Sequence, residues 1–447
     1  MSNMPINSGQ DSAKRSRYKL SQRLPWSVLA MGWLVASALF AGVTQLLGGV
    51  TSGDASDSIN TTWAFAHGVP ACAYPPGNQF GLPYIPPIYP LFTGAISALT
   101  RIGHSVTFPS AAQMGPHCVN AVTSMYYWSL KSHSLDPTLR LGYSSWLILA
   151  VGAVALLRAS GRGRSGWEPL GLILIALVPS LLMSLHEYFH PQDIMALGLI
   201  LGALAGARRG KWGIAGLLIG AAVMTQQFAL LATIPLVFAV PRDRLNKFIV
   251  SLVASLGVII IPVLLLSSQG SLKAVLTGSG TTWNSGTLLD GTHLQGPALF
   301  IAARYLPIAA SLVLSWWARQ EIGDRLLDAV PLVSLAATCL SFRLVFEVNL
   351  WGYYFLAVSV LLILLDVIRG RIRWQLILWL ALQPTAFLPV LGPTSSFGPE
   401  HTSWLPLWLW QLILVGGALA LSLGPLITAV RDKRVQSLTY VEVNPNG

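Results

Sequence analysis

The 447-residue chain is 53% hydrophobic and 10% charged, with 16 Trp and a mean hydropathy of +0.60. About a quarter of an ordinary soluble domain is charged, so the composition excludes that class and reads as an all-α polytopic membrane protein, since a bilayer offers backbone groups no water to bond. The formal net charge of +11 would suit nucleic acid. Lys and Arg nevertheless fall in short clusters between apolar runs, the pattern of cytoplasmic loops, and no nucleic-acid partner is expected.

Residues 1–24 are polar and carry Lys14, Arg15, Arg17, Lys19 and Arg23 ahead of an apolar run from Trp26 to Leu47, which is long enough to span. The tail is therefore expected in the cytoplasm. A cleaved signal peptide is the rival, but this run is too long for a signal core and lacks a small-residue cleavage site. The next segment, 51–140, is expected as a large outer loop bearing interfacial helices. Asp54 and Asp57 stand near the point where the chain leaves the bilayer. A carboxylate partly desolvated there becomes a better base for a bound hydroxyl; the plain alternative is that both acids only solvate the loop. The stretch from Pro70 to Pro90 is rich in Pro and Gly and cannot hold one shape by regular hydrogen bonding. Apolar Tyr84 to Ile102 is expected along the outer interface as one anchor. Cys72 and Cys118 share the loop and form a disulfide if the compartment is oxidising, two reduced thiols being the other reading. Cys339 lies in an apolar run and is expected in the core.

Requiring basic clusters to face the cytoplasm sets the later crossings. Leu141 to Leu157 runs inward to Arg158, Arg162 and Arg164; Leu170 to Leu185 returns outward, and Ile194 to Ala207 runs in to Arg208, Arg209 and Lys211. The run from Ile214 to Val240 has basic clusters at both ends, so both ends lie inside. It is expected as a hairpin of two short helices broken near Thr225, Gln226 and Gln227, because polar residues at membrane depth need surrounding protein or a cavity. Phe248 to Leu266, Ala298 to Trp317, Leu327 to Phe342, Gly352 to Val367, Leu376 to Leu391 and Leu407 to Val430 complete about twelve crossings. Residues 25–430 form one transmembrane domain, and 431–447 a cytoplasmic tail.

Polar chemistry concentrates on the outer side, at the turn from His186 to Gln192 and around Arg343 to Trp351. Arg304 differs by sitting inside a crossing, where an arginine marks a functional or paired site. His186 to His190 spell His-Glu-x-x-His, and Leu289 to Gly291 supply a Leu-Asp-Gly, which together suggest an intramembrane zinc metalloprotease. That chemistry needs both histidines one turn apart on a helix. Pro191 instead pushes His190 out of the α region and is expected to start a new helix.

An acidic residue after the first crossing is followed by an aromatic, Ala-rich stretch, a Gly and a Tyr-Pro-Pro, here Asp54, Trp63, Gly68, Tyr74, Pro75 and Pro76. His190 to Asp193 spell His-Pro-Gln-Asp at the head of an inward helix, and the Gly213 to Gly220 run leads into the polar break. In these features the chain resembles the multi-pass GT-C glycosyltransferases that use polyprenyl-phosphate sugars, especially their bacterial mannosyltransferase-like branch. The likeness covers most of the chain in layout and these short motifs in detail. Where many relatives carry a lysine after the Gly-rich helix, this chain has Gln226 and Gln227, so that phosphate contact is expected elsewhere.

The resemblance implies an inverting transfer at the outer face of the cytoplasmic membrane, from a polyprenyl-phosphate sugar of mannose type to a glycolipid or polysaccharide acceptor. Asp54 is the expected base, with Asp57 second. His190, Arg304 and Arg343 are expected at the donor phosphate, and Gln192, Asp193, Gln226, Gln227, Tyr353 and Glu347 around the substrates. No metal ligand is assigned and no particular cofactor is implied, a divalent metal being the one candidate. Membrane lipids are the remaining partners. A transporter or lipid flippase is the alternative from another class, since polar breaks in helices also serve transporters. Against it stand the lack of a repeat pairing the two halves and a first outer loop larger than a transporter needs.

Overall fold

The computed structural model describes residues 88–100, 136–163, 166–186, 190–266, 296–347, 350–387 and 407–443, with residues 32, 35 and 36 besides. Asp54, Asp57, Cys72, Cys118, the turn 187–189 and the loop 267–295 lie outside the described residues. Among the described residues all regular structure is helical. The helices are α1 (Ile88–Thr100), α2 (Asp136–Ala159), α3 (Trp167–Ala176), α4 (Pro179–His186), α5 (Pro191–Arg208), α6 (Trp212–Val223) and α7 (Ala229–Ala239). They continue as α8 (Arg242–Leu266), α9 (Gly296–Ile322), α10 (Ala329–Phe346), α11 (Leu356–Arg369), α12 (Trp374–Phe387) and α13 (Leu407–Val443), with 3-10 turns at Gly323–Leu327 and Gly352–Phe355. Among the described residues, four segments are long and apolar enough to cross a membrane: Ile301–Leu327, Ala329–Phe346, Gly352–Arg369 and Leu412–Val435.

Helix α5 sets the layout. Its 18 residues span about 27 Å at 1.5 Å per residue, from Pro191 at one end of the bundle to Arg208 at the other. Small residues let its neighbours approach to backbone contact, which is how helices gain dispersion energy where lipid removes the hydrophobic drive. A Cβ on Gly152 of α2 would overlap the Gly198 carbonyl of α5, and one on Gly198 would come within 2.6 Å of the Ile148 backbone. The α6–α8 contact is built the same way. Gly213 meets Lys247, Gly216 meets the Phe248 carbonyl, and Gly220 meets Leu252 and Ser255. Both series ascend, so α6 and α8 run parallel and α7 between them must return. The innermost span is the one containing α11, 89% of whose apolar window is buried, against 22% for the span on α9. Exposed Ile301, Tyr305, Val313 and Trp316 give α9 the apolar outer face a lipid-facing helix needs.

Among the described residues, basic side chains from helix ends far apart in sequence collect at one end of the bundle, stitched to carbonyls and acids. Arg158 pairs with Glu168 at 3.3 Å, Arg162 Nε donates to the Ile368 carbonyl at 2.7 Å, and Arg208 donates to the Leu327 carbonyl. Lys433 donates to the Glu321 carbonyl at 2.8 Å, and Arg434 pairs with the Glu321 carboxylate at 2.8 Å. Asp366, fully buried near the end of α11, takes an ion pair from Arg373 at 2.7 Å across the Gly370 turn.

Several segment boundaries differ from those expected. The run Leu170 to Leu185 is two short helices parted at Leu177 and Val178, because Pro179 starts the second and disfavours helix in the residue before it. The run Ile214 to Val240 is broken between Val223 and Ala229, at the expected Thr225 to Gln227. Arg343 lies in the last turn of α10 and not in a turn beyond it. Helix α13 continues through 431–433 to Val443, so the expected tail begins as helix. Cys339 is buried and free.

Candidate functional site at the polar end

The end of the bundle opposite the basic clusters gathers the N-terminus of α5, the break between α6 and α7, the C-terminus of α10 and the start of α11. Pro191 is the first residue of α5 and leaves His190 as its N-cap at φ −109° and ψ 58°. The proline ring fixes a helical φ and lacks an N–H that would have had no partner there. Among the described residues α4 runs to His186, and His190 is itself non-helical, standing as the cap of α5. The two histidines of the His-Glu-x-x-His string therefore do not share a helix, and the geometry of the metalloprotease pattern is not formed. Among the described residues no group of three His, Cys, Asp or Glu side chains is placed to hold a metal ion.

His190 is 6% exposed. Its ring stacks on Tyr353, centroids 4.1 Å apart and 15° from parallel. Gln192 Nε2 lies 2.9 Å from His190 Nδ1. With the amide nitrogen donating, Nδ1 accepts and the imidazole proton sits on Nε2. Asp193, buried in the first turn of α5, accepts from Gln226 Nε2 at 2.5 Å. The positive end of the helix dipole favours an anion at this place.

The break carries the next two contacts. Gln226 Oε1 accepts from the Gln227 backbone N–H at 3.1 Å, and Gln227 Oε1 accepts from Arg304 of α9 at 3.4 Å. Phe228 then packs beneath Arg343, whose guanidinium carbon is 5.2 Å from its ring centroid and 4.0 Å from that of Tyr354. Arg343 also donates from Nε to Glu347 at 3.0 Å. Tyr354 meets Tyr353 edge to face at 4.6 Å. With the backbone joining Phe228 to Gln227 and Asp193 to Gln192, the contacts close a ring that passes from Gln192 through His190, Tyr353, Tyr354, Arg343 and Phe228 to Gln227, Gln226 and Asp193. Helix α1 docks beside it: the Ile88 N–H donates to the Met224 carbonyl at 3.2 Å, and buried Tyr89 packs on Met195. Helix α1, the described part of the stretch Tyr84 to Ile102, is therefore tied directly to the break.

Nine residues expected at substrate or phosphate, His190, Gln192, Asp193, Gln226, Gln227, Arg304, Arg343, Glu347 and Tyr353, meet at this one end. Asp54, Asp57 and the Cys72–Cys118 pair fall outside the described residues. Phe228 and Tyr354 went unmarked in the sequence, although both adjoin marked residues. A paired Tyr353-Tyr354 at a helix start, opposite an arginine, was the available signal.

Chemically the ring, with Arg304 and Glu347 attached to it, offers two guanidinium groups, an imidazole, two side-chain amides on the break and two buried or half-buried carboxylates. Beside it runs the exposed apolar face of α9. Such a set can hold an anionic, hydroxyl-rich group at the edge of an apolar surface. In comparisons with protein-family models, curated proteins and solved structures, the chain matches none.

Proposed function

We propose that the chain is a polytopic membrane glycosyltransferase that moves a mannose-like sugar from a polyprenyl phosphate to a glycolipid or polysaccharide acceptor, with inversion. The observation that carries this reading is the ring itself: cationic and hydrogen-bonding groups converge from separate helices at one end of an apolar bundle, beside a lipid-facing helix. The donor already holds its leaving group as a phosphodiester. The protein has to supply a base, partners for the departing phosphate and a place for the lipid tail.

In this reading the acceptor hydroxyl attacks the anomeric carbon and gives its proton to Asp54 on the outer loop, with Asp57 second. The bond from that carbon to the phosphate oxygen breaks, and polyprenyl phosphate leaves with an added negative charge. Arg304 meets that charge at the lipid boundary, while Arg343, held between Tyr354 and Phe228, and the Nε2–H of His190 complete the phosphate shell. Gln192, Asp193, Gln226, Gln227, Glu347 and Tyr353 orient the sugars. About twelve crossings, cytoplasmic termini and a site facing outward complete the picture.

The test is transfer in proteoliposomes containing the purified full chain, polyprenyl-phosphate-mannose and a glycolipid acceptor. A mannosylated acceptor formed only with the lipid-linked donor supports the reading. The break at Gln226 and Gln227 is the one feature that favours a transporter or flippase. Movement of the lipid across the bilayer without a glycosidic product assigns the chain to that class.

A further inference from the structure

A cavity of about 590 Å³ opens at the other end of the bundle, one span away from the His190 ring. Helix ends that are far apart in sequence converge on it. Arg162 follows α2, Arg208 ends α5, Arg325 lies in the 3-10 turn after α9, and Arg369 ends α11. Four arginines line it together with two aspartates, Asp328 and Asp432. The lining thus keeps an excess of positive charge, while Ile322, Val330, Pro331 and Pro425 give it apolar walls.

Two of the four arginines are held in place by backbone carbonyls. Arg162 Nε is anchored on the Ile368 carbonyl, and its guanidinium passes over Gly370, where an added Cβ would lie 3.0 Å from a terminal nitrogen. Gly370 ends α11 at φ +71°, a left-handed conformation that glycine adopts at little cost. Arg208 is fixed by the Leu327 carbonyl, and Asp328 is shared between Arg208 at 3.8 Å and Arg325 at 3.7 Å. A pocket of this volume suits a small ligand or headgroup. Planar guanidinium forks match phosphate oxygens in pairs, and basic pockets between transmembrane helices take anionic headgroups.

We infer that this cavity binds a phosphate group, with Arg325 and Arg369 as its forks and Arg162 and Arg208 as the fixed wall. Two sources carry that chemistry here, the headgroup of an anionic phospholipid and free inorganic phosphate. The site is separate from the polar ring and does not depend on what the ring does.

The experiment uses the full chain, stripped of lipid in neutral detergent, with native mass spectrometry and thermal unfolding as readouts. Phosphatidylglycerol, phosphatidylcholine and inorganic phosphate are titrated separately. Saturable binding and a rise in Tm with phosphatidylglycerol, absent with inorganic phosphate, assign the lipid headgroup. The same response to inorganic phosphate assigns the free anion. Arg325→Gln combined with Arg369→Gln lowers that affinity roughly tenfold or more, as expected for loss of charge-assisted bonds. Thr428→Trp, which fills the cavity from an exposed position on α13 while leaving every arginine, lowers it as well. A response to neither probe, phosphatidylcholine binding as tightly as phosphatidylglycerol, or unchanged affinity in the folded variants overturns the assignment.

Discussion

Within the polar ring each buried group depends on the next, because a polar atom taken out of water without a partner costs about 1 to 3 kcal/mol. This explains why these side chains were readable before their positions were known. His190, Asp193, Gln226, Gln227 and Arg304 are costly beside apolar runs, so each demanded a partner or a task. Tyr354 and Phe228 carried no such mark in a chain that is 10% aromatic; only the packing of Arg343 over their rings singles them out. Two predictions belong at this scale. Asp54→Asn is expected to abolish transfer while the protein still inserts, since a carboxamide keeps the shape but accepts no proton. Rates near the parent's in the proteoliposome assay would move the role to Asp57 or remove it. Arg304→Gln is expected to raise KM for the lipid-linked donor by roughly 10- to 100-fold, the worth of about one charged hydrogen bond. The acceptor KM should change little. An equal rise in both constants would mean that Arg304 only supports the fold.

At the scale of elements, the contact between α2 and α5 decides how firmly the ring is held. His190, Gln192 and Asp193 all hang from the start of α5, and that helix is positioned by backbone contact at Gly152 and Gly198. Gly198→Leu would force a side chain against the Ile148 backbone, 2.6 Å from where its Cβ would begin. Neither backbone can rotate away, so the helices must separate. The expected cost is about 1 to 3 kcal/mol from overpacking, seen as a lower Tm in detergent, with transfer reduced further than unfolding alone explains. Unchanged Tm and transfer would show that the two helices do not need this approach. Breaks were legible where polar side chains or proline marked them, as at Thr225 to Gln227 and at Pro191. The break at Leu177 and Val178 was harder to see, because the apolar run continues through it and only Pro179 marks the change. Helix ends drifted for a similar reason. Hydropathy stops at the first charge, whereas α13 keeps its backbone bonds through 431–434 and on to Val443.

For the whole molecule, the two ends differ in kind: one is basic and stitched to carbonyls, the other carries the aromatic and amide ring. Helices α5, α10 and α11 each join one to the other, which makes sidedness a single question with a single answer. Basic clusters orient toward the cytoplasm, and the proposed reaction needs the ring outside. Asp324 tests the first half. It sits at the basic end with its side chain 95% exposed, and its pairing with Arg319 is of the surface kind worth under about 1 kcal/mol, so Asp324→Cys should fold. Gln227, exposed at the break, tests the second half as Gln227→Cys. A membrane-impermeant maleimide is expected to label Asp324→Cys in inverted vesicles only, and Gln227→Cys in intact cells only, each measured above the parent chain's own thiols. Polyprenyl-phosphate-mannose added beforehand should protect Gln227→Cys, because the donor phosphate and sugar would lie across Gln226 and Gln227. Labelling of both positions from one face would break the two-ended layout. Labelling with the faces exchanged would keep the layout and turn the ring toward the cytoplasm, where a lipid-linked donor flipped to the outer leaflet could not reach it.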